Sequence, residues 1–259
     1  MKLDGRVALV TGGGGAIGGA QVELFALEGA AVCVADLYAE KAEQVAQRVS
    51  ASGAKAIGVQ LDVRSSADWS AAVEATESAL GPIGILCNNA GANIRVSFDD
   101  QTEEMWDLIV GTILTGSFLG TKAVLPSMRR AGGGVIVNLG SLASIRGGPN
   151  SPAYVAAKTG LVGLTRSTAS AFAREEIRCV LISPGHVDTP FLRANTSYSP
   201  NDERTSIDNP ANYERRLAAT PLGRLITPED VARAVLFAVS DDGAMVTGSM
   251  LTIDGGAAL

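Results

Sequence analysis

One histidine, His186, and three cysteines, Cys33, Cys87 and Cys179, are all that the 259-residue chain offers to soft-metal or thiol chemistry. The odd cysteine count, the wide spacing and the lack of a CxxC leave no disulfide framework and no zinc-ligand pattern. The thiols, in the strand-like runs VCVAD, ILCNN and IRCVLI, are expected to be reduced and structural. With a single histidine and no GxSxG, a Ser-His-acid hydrolase triad has no support either. A basic surplus is also missing: 21 Lys and Arg stand against 27 Asp and Glu, a net charge of −6. That balance gives no footprint for nucleic acid and points to a small-molecule partner. The start MKLDGRVALVTGG lacks a signal-peptide pattern and the apolar runs are short and interrupted. A soluble, cytoplasmic protein with no membrane contact is therefore expected. Internal repeats and low-complexity stretches are absent.

What is present is a regular alternation. The runs VALVTG, AVCVAD, AIGVQLDV, IGILCNNAG, GGVIVNLGS, IRCVLISPG and MLTIDGG read as strands, and longer helical stretches separate them. Strands nearly continuous in apolar residues belong to a sheet covered on both faces. The order predicts one α/β domain over 1–259, doubly wound, with a mainly parallel sheet. The polar stretch 191–220, with Pro200 and Pro210, departs from this pattern and reads as a substrate loop containing a short helix.

Directly after the first strand comes TGGGGAIGG. Its four successive glycines fit both a Gly13-x-Gly15-x-x-Gly18 frame and a Thr11-Gly12-x-x-x-Ala16-Ile17-Gly18 frame. The two frames share a physical meaning: bare backbone N–H groups and a helix N-terminus can approach a pyrophosphate. Gly12, Gly14, Gly15, Ala16 and Ile17 are thus candidate cofactor contacts. The second strand ends in Asp36, whose carboxylate suits the ribose hydroxyls of an adenosine and repels a 2′-phosphate. No Arg or Lys stands in the turn or at Leu37 and Tyr38, so NAD is expected over NADP, with Asp36 and Leu37 at the adenosine end.

Tyr154 and Lys158 are four residues apart and share one helix face, and Ser141 closes an upstream strand. A phenol beside a cation can exchange a proton with an alcohol or ketone while a serine hydroxyl orients the same oxygen.

Taken together, these residues resemble the short-chain dehydrogenase/reductase family from Arg6 to Gly256, a Rossmann-type fold. The resemblance implies catalytic Ser141, Tyr154 and Lys158, with Lys158 lowering the Tyr154 pKa and binding the nicotinamide ribose. It also implies that Asp62 and Val63 frame adenine, and that the Asn89, Ala90 and Gly91 of NNAG line the cofactor cleft. Pro184, Gly185, Val187 and Thr189 would belong to the cofactor-binding turn beside the nicotinamide, where the Val187 backbone and Thr189 would hold the carboxamide. A homo-oligomer is implied, a tetramer built partly from the Tyr154 helix and the helix from Glu103 to Arg130. One position departs from the family: Ile113 stands where an asparagine usually supports a water chain for proton exit. Thr112 or Thr115 is a candidate replacement. The expected function is NAD-dependent interconversion of a secondary alcohol (cyclic alcohol, polyol or sugar) and its ketone. The alternatives are a 3-oxoacyl thioester reductase and a weakly or non-catalytic NAD-binding regulatory protein with its relay disabled at Ile113. His186, next to the nicotinamide turn, could touch substrate but reads by default as a loop histidine without a proton-transfer role; Arg95 or Arg146 could attract an anionic substrate, with a solvated charge as the default reading.

Overall fold

The computed structural model describes residues 1–259. Seven strands, β1 (Val7–Thr11), β2 (Ala31–Asp36), β3 (Ala56–Gln60), β4 (Ile85–Asn88), β5 (Gly134–Leu139), β6 (Ile177–Pro184) and β7 (Met250–Ile253), form one sheet in the order β3-β2-β1-β4-β5-β6-β7. Every pairing is parallel. The strand order reverses between β1 and β4, which opens a crevice at their carboxyl ends.

Alternation along the strands builds two cores. Ala8, Val10, Val32 and Val34 face α1 (Ala16–Leu27), α2 (Ala39–Ser50) and α9 (Pro228–Val239). Val7, Leu9, Cys33 and Ala35 face the opposite layer, which contains α3 (Ser66–Leu80) and α5 (Gly116–Arg130). Trp69 anchors that second layer: it is buried, donates its indole N–H to the Val63 carbonyl at 2.9 Å, and lies where a Cβ on Gly120 would come within 2.5 Å of its ring. A third, smaller cluster joins α4 (Glu103–Val110) to α6 (Pro152–Phe172) under the catalytic candidates.

Local chemistry sets the helix ends. Ser65 caps α3 by accepting from the Asp68 N–H, and Thr227 with Asp230 forms a reciprocal capping box on α9, whose first residue is proline. The stretch 191–220 carries α7 (Pro190–Arg193) and α8 (Pro210–Ala218), the latter capped by Asn209. Between α4 and α5 the chain makes one π-helical turn, Gly111–Thr115. The continuous helical stretch Glu103–Arg130 is long and apolar enough to cross a membrane, a feature the interrupted apolar runs did not suggest. Many of its apolar residues pack against α3 and α6, while Trp106 and Phe118 are exposed.

Candidate active site

A cleft of about 960 Å³ runs along the carboxyl ends of the strands. Ser141, Tyr154, Lys158 and all the cofactor candidates named from the sequence lie on its wall.

At one end, β1 leads through the glycine turn into α1. The first residue before this helix, Gly15, provides no side-chain cap, so the early N–H groups of α1 are left for another acceptor. The turn tolerates no larger residue at Gly13, where a Cβ would meet Val34 at 2.7 Å, nor at Gly14 and Gly18. A Cβ on Gly18 would meet the Gly12 carbonyl at 2.2 Å, and one on Gly14 would strike Lys41 at 2.6 Å. Ala16 is exposed at the helix start, so its methyl displaces nothing. The Asp36 carboxylate is held by the backbone, accepting from the Gly14 N–H at 3.0 Å and from the Tyr38 N–H at 3.1 Å. Each oxygen keeps further acceptor capacity for a diol. An uncapped helix start, side-chain-free turn and oriented carboxylate fit a dinucleotide.

Two details differ from the sequence reading. The cleft is not free of cations here: Lys41 comes round on α2 beside Asp36 and sits over the rings of Tyr38 (4.7 Å) and Tyr198 (5.7 Å). Asp62 also spends its charge on Arg64, 2.6 Å away, and that pairing lowers its pKa.

The middle of the cleft is locked by Thr11 and Asn89. The Thr11 hydroxyl accepts from the Asn89 and Ala90 N–H groups, both at 3.0 Å, while the Asn89 amide donates to the Thr11 carbonyl at 2.9 Å. Underneath, Asn88 donates to Asn138 (2.8 Å) and Asn138 to Thr165 (2.9 Å), which ties β4, β5 and α6 together in the interior. At the far wall, the turn 184–189 is pinned by Ile226, whose N–H donates to the His186 carbonyl and whose carbonyl accepts from the Asp188 N–H.

Ser141, Tyr154 and Lys158 converge where β5 meets α6. Ser144, which the sequence reading missed, joins them: its hydroxyl accepts from the Ser141 N–H at 3.2 Å and donates to the Lys158 carbonyl at 3.0 Å. The short-range signal was a Ser-x-x-Ser capping box. Lys158 is buried, donates to the Leu139 carbonyl and lies 5.6 Å from the Tyr154 ring centre. With no carboxylate to offset it, burial pushes its ammonium down to about 7. Tyr154 moves against expectation. Burial raises its phenol above the usual value, and the groups opposing that rise are the Ser141 hydroxyl and the Arg95 guanidinium, with Lys158 not among them.

Ile113 lies at the π turn, 1% exposed, in the apolar cluster of Ala92, Ala153, Ala157 and Leu161. Its carbonyl accepts from the Ser117 hydroxyl at 2.6 Å. Thr112 reaches the cleft wall and Thr115 is exposed away from it, so only the first of the two candidate replacements is in place. His186 is on the wall beside Arg216, and burial with the nearby Arg216, Arg146 and Arg215 pushes its imidazole down to about 4.

The comparisons with known proteins agree with this geometry. A family model described as enoyl-(acyl carrier protein) reductase matches residues 14–258. The chain belongs to the short-chain dehydrogenase/reductase family. As a short-chain dehydrogenase/reductase it is an oxidoreductase acting on CH–OH groups and using a nicotinamide cofactor. It is 39% identical over 256 residues to a 2-(S)-hydroxypropyl-CoM dehydrogenase of Xanthobacter autotrophicus, covering 98% of this chain and 97% of the relative. It is 35% identical over 257 residues to a cyclohexanol dehydrogenase of an Acinetobacter species, covering 98% and 95%. The fold matches a 7 alpha-hydroxysteroid dehydrogenase complexed with NADH and 7-oxo glycochenodeoxycholic acid at a TM-score of 0.90. That pair is 31% identical, covering 98% of this chain and 95% of the other.

Proposed function

We propose that this short-chain dehydrogenase/reductase uses NAD to interconvert a secondary alcohol, of the cyclic alcohol, polyol or sugar kind, and its ketone. The carrying observation is that Ser141, Tyr154 and Lys158 share one cleft with the backbone-held Asp36 carboxylate. The relatives' names, a hydroxypropyl-CoM dehydrogenase and a cyclohexanol dehydrogenase, support a secondary carbinol.

A bound nicotinamide supplies hydride chemistry, and the glycine turn, Asp36, Leu37, Asp62, Val63 and the 89–91 and 184–189 turns are the residues that would hold the dinucleotide. Ser141 directs its hydroxyl at the reacting oxygen. Tyr154, its phenol kept protonated by burial, donates its proton to a ketone and recovers one from an alcohol. In that second direction the phenolate needs nearby positive charge, which Arg95 provides and which Lys158 adds while protonated. Ser144 positions Ser141 and the Lys158 turn of α6.

Asp36 supports NAD, since a 2′-phosphate would face its carboxylate. Lys41 beside it favours a second reading, an NADP-dependent reductase of 3-oxoacyl thioesters. The exposed Trp106 and Phe118 on α4 and α5 support a homotetramer, and light scattering after size exclusion reads the mass directly. Buried cysteine thiols, with burial pushing Cys33 up to about 11 and Cys179 up to about 12, suit a reducing cytoplasm.

The test is absorbance at the reduced-nicotinamide band with NAD and with NADP over a panel of cyclic alcohols, polyols and sugars, and separately over a 3-oxoacyl thioester. Oxidation of alcohols with a lower KM for NAD than for NADP is the expected result. Preference for NADP together with thioester reduction establishes the second reading instead.

A further inference from the structure

The chain is acidic overall, yet the substrate end of its cleft is not. Arg95, Arg146, Arg215 and Arg216 all stand on the wall, and none takes part in any ion pair of the molecule. The acidic residues lining the cleft, Asp36 and Asp62, belong to the opposite, adenosine end. Other arginines nearby do find carboxylates: Arg193 is clamped by both Asp188 and Asp208, and Arg204 by Asp202.

The partners these guanidinium groups do have are neutral. Arg216 donates to the His186 ring nitrogen Nδ1 at 3.2 Å and to the Thr205 carbonyl at 3.5 Å, and its Nε is buried with no acceptor at all. Arg95 donates through one nitrogen to Ser199 (3.2 Å) and Asn201 (2.9 Å), bonds that also hold the 191–220 stretch in place. Neutral acceptors satisfy N–H groups without offsetting charge. Burial and neighbouring arginines, Arg95 and Arg215, accordingly pull Arg216 down to about 10, and burial lowers Arg95. A guanidinium does not shed its proton to relieve such strain, so an incoming anion is the remedy. Low-dielectric walls around charge of one sign also concentrate anions in the cleft. The location bears on the reaction, because Arg95 is close enough to Tyr154 to act on its phenol, and Arg216 touches His186 in the turn beside the catalytic wall.

We propose that the substrate of this site is an acid: a secondary alcohol or ketone carrying a carboxylate or sulfonate group that Arg216 and Arg95 hold while the carbinol carbon lies against Ser141 and Tyr154. The proposal rests on the dehydrogenase reading and adds to it the charge of the substrate. A forked guanidinium matches either oxyanion through paired N–H donors.

The single histidine makes a clean reporter. The His186 imidazole resonance, followed by NMR at constant ionic strength, is titrated with butanoate, with propane-1-sulfonate and with neutral butanamide. Either anion is expected to shift the resonance saturably and to bind at least about tenfold more tightly than the amide. Arg216→Gln should weaken anion binding by about tenfold to a hundredfold, Arg216→Lys should recover part of it, and Arg129→Gln, at a residue paired with Glu175 away from the cleft, should leave it unchanged. Arg215→Gln serves as a second charge-removing variant if Arg216→Gln melts early. Equal binding of anions and amide, or anion affinity indifferent to Arg216→Gln and Arg215→Gln, overturns the proposal. Reduction of acetoacetate, acetonylsulfonate and acetoacetamide by NADH separates the two readings. Turnover of the amide on a par with both acids overturns the acid proposal and keeps the dehydrogenase. Tight anion binding with no turnover of any carbonyl keeps the anion site and removes the dehydrogenase. The ratio of acetoacetate to acetonylsulfonate turnover tells which oxyanion the arginines prefer.

Discussion

The two ends of the cleft are built on different principles. The adenosine end is made of backbone: uncapped helix N–H groups, glycines that cannot be enlarged, and a carboxylate whose orientation is set by two N–H donors. The substrate end is made of side chains, brought from β4's exit, the turn after β6, and the helix α8. A backbone site recognises something invariant, whereas a side-chain site can be retuned by single substitutions without disturbing the sheet. The unpaired arginines express that difference as charge: their positive field sits on the replaceable side.

Single substitutions separate the two ends, the largest effect falling on the chemistry between them. Tyr154→Phe removes the proposed proton donor and acceptor and is expected to lower kcat/KM by about 10³-fold with little change in melting temperature. Retention of more than a tenth of the activity would remove Tyr154 from the mechanism. Ile113→Asn comes next. It places an amide in the cluster of Ala92, Ala153, Ala157 and Leu161, and should cost about 2–4 kcal/mol of stability in denaturant without raising kcat. A gain in kcat would show that water reaches this turn and that the missing asparagine limits proton exit. Asp36→Ala is expected to raise KM for NAD by about tenfold to a hundredfold and to shrink its advantage over NADP, read from initial rates with both cofactors. An unchanged ratio would pass cofactor choice to Lys41.

The smallest effect is a titration. His186 is pushed down to about 4, below the ordinary value of 6.5, so the unfolded chain binds its proton first as pH falls. The contribution of this residue to stability is complete above about pH 6.5 and is lost as pH falls towards 4. In NMR the imidazole should stay neutral at pH 5.5 in the free protein, and a bound acid should raise its midpoint. A midpoint near 6.5 in the free protein would mean that the arginines are not crowded around the ring.

All seven strands and the glycine turn follow from short-range pattern, because a strand buried on both faces must be apolar throughout and a phosphate turn must lack side chains, whereas the sheet order and its reversal between β1 and β4 came only from the fold. The i, i+4 placement of Tyr154 and Lys158 was legible for the same reason: α6 runs unbroken through both. Ser144 could have been read from its capping-box spacing with Ser141, but its bond to the Lys158 carbonyl depends on α6 packing back onto β5. Lys41 escaped notice because it follows Asp36 by more than a helix cap, and only the docking of α2 turns it towards Gly14. Arg95 was legible as a possible anion contact with a solvated charge as its default, whereas Arg216, far from it in the chain, comes to the same cleft only once the 191–220 stretch folds over it.

The sequence by itself thus determined the layered α/β architecture, the side-chain-free glycine turn and the shared helix face of Tyr154 and Lys158, since each depends on neighbours within a few residues or on apolar period. The tertiary structure decided the charge of the substrate end, the direction of the Tyr154 and Lys158 shifts and the core placement of Ile113. These depend on desolvation and on like charges approaching from distant segments, and such terms exist only once long-range packing has excluded water.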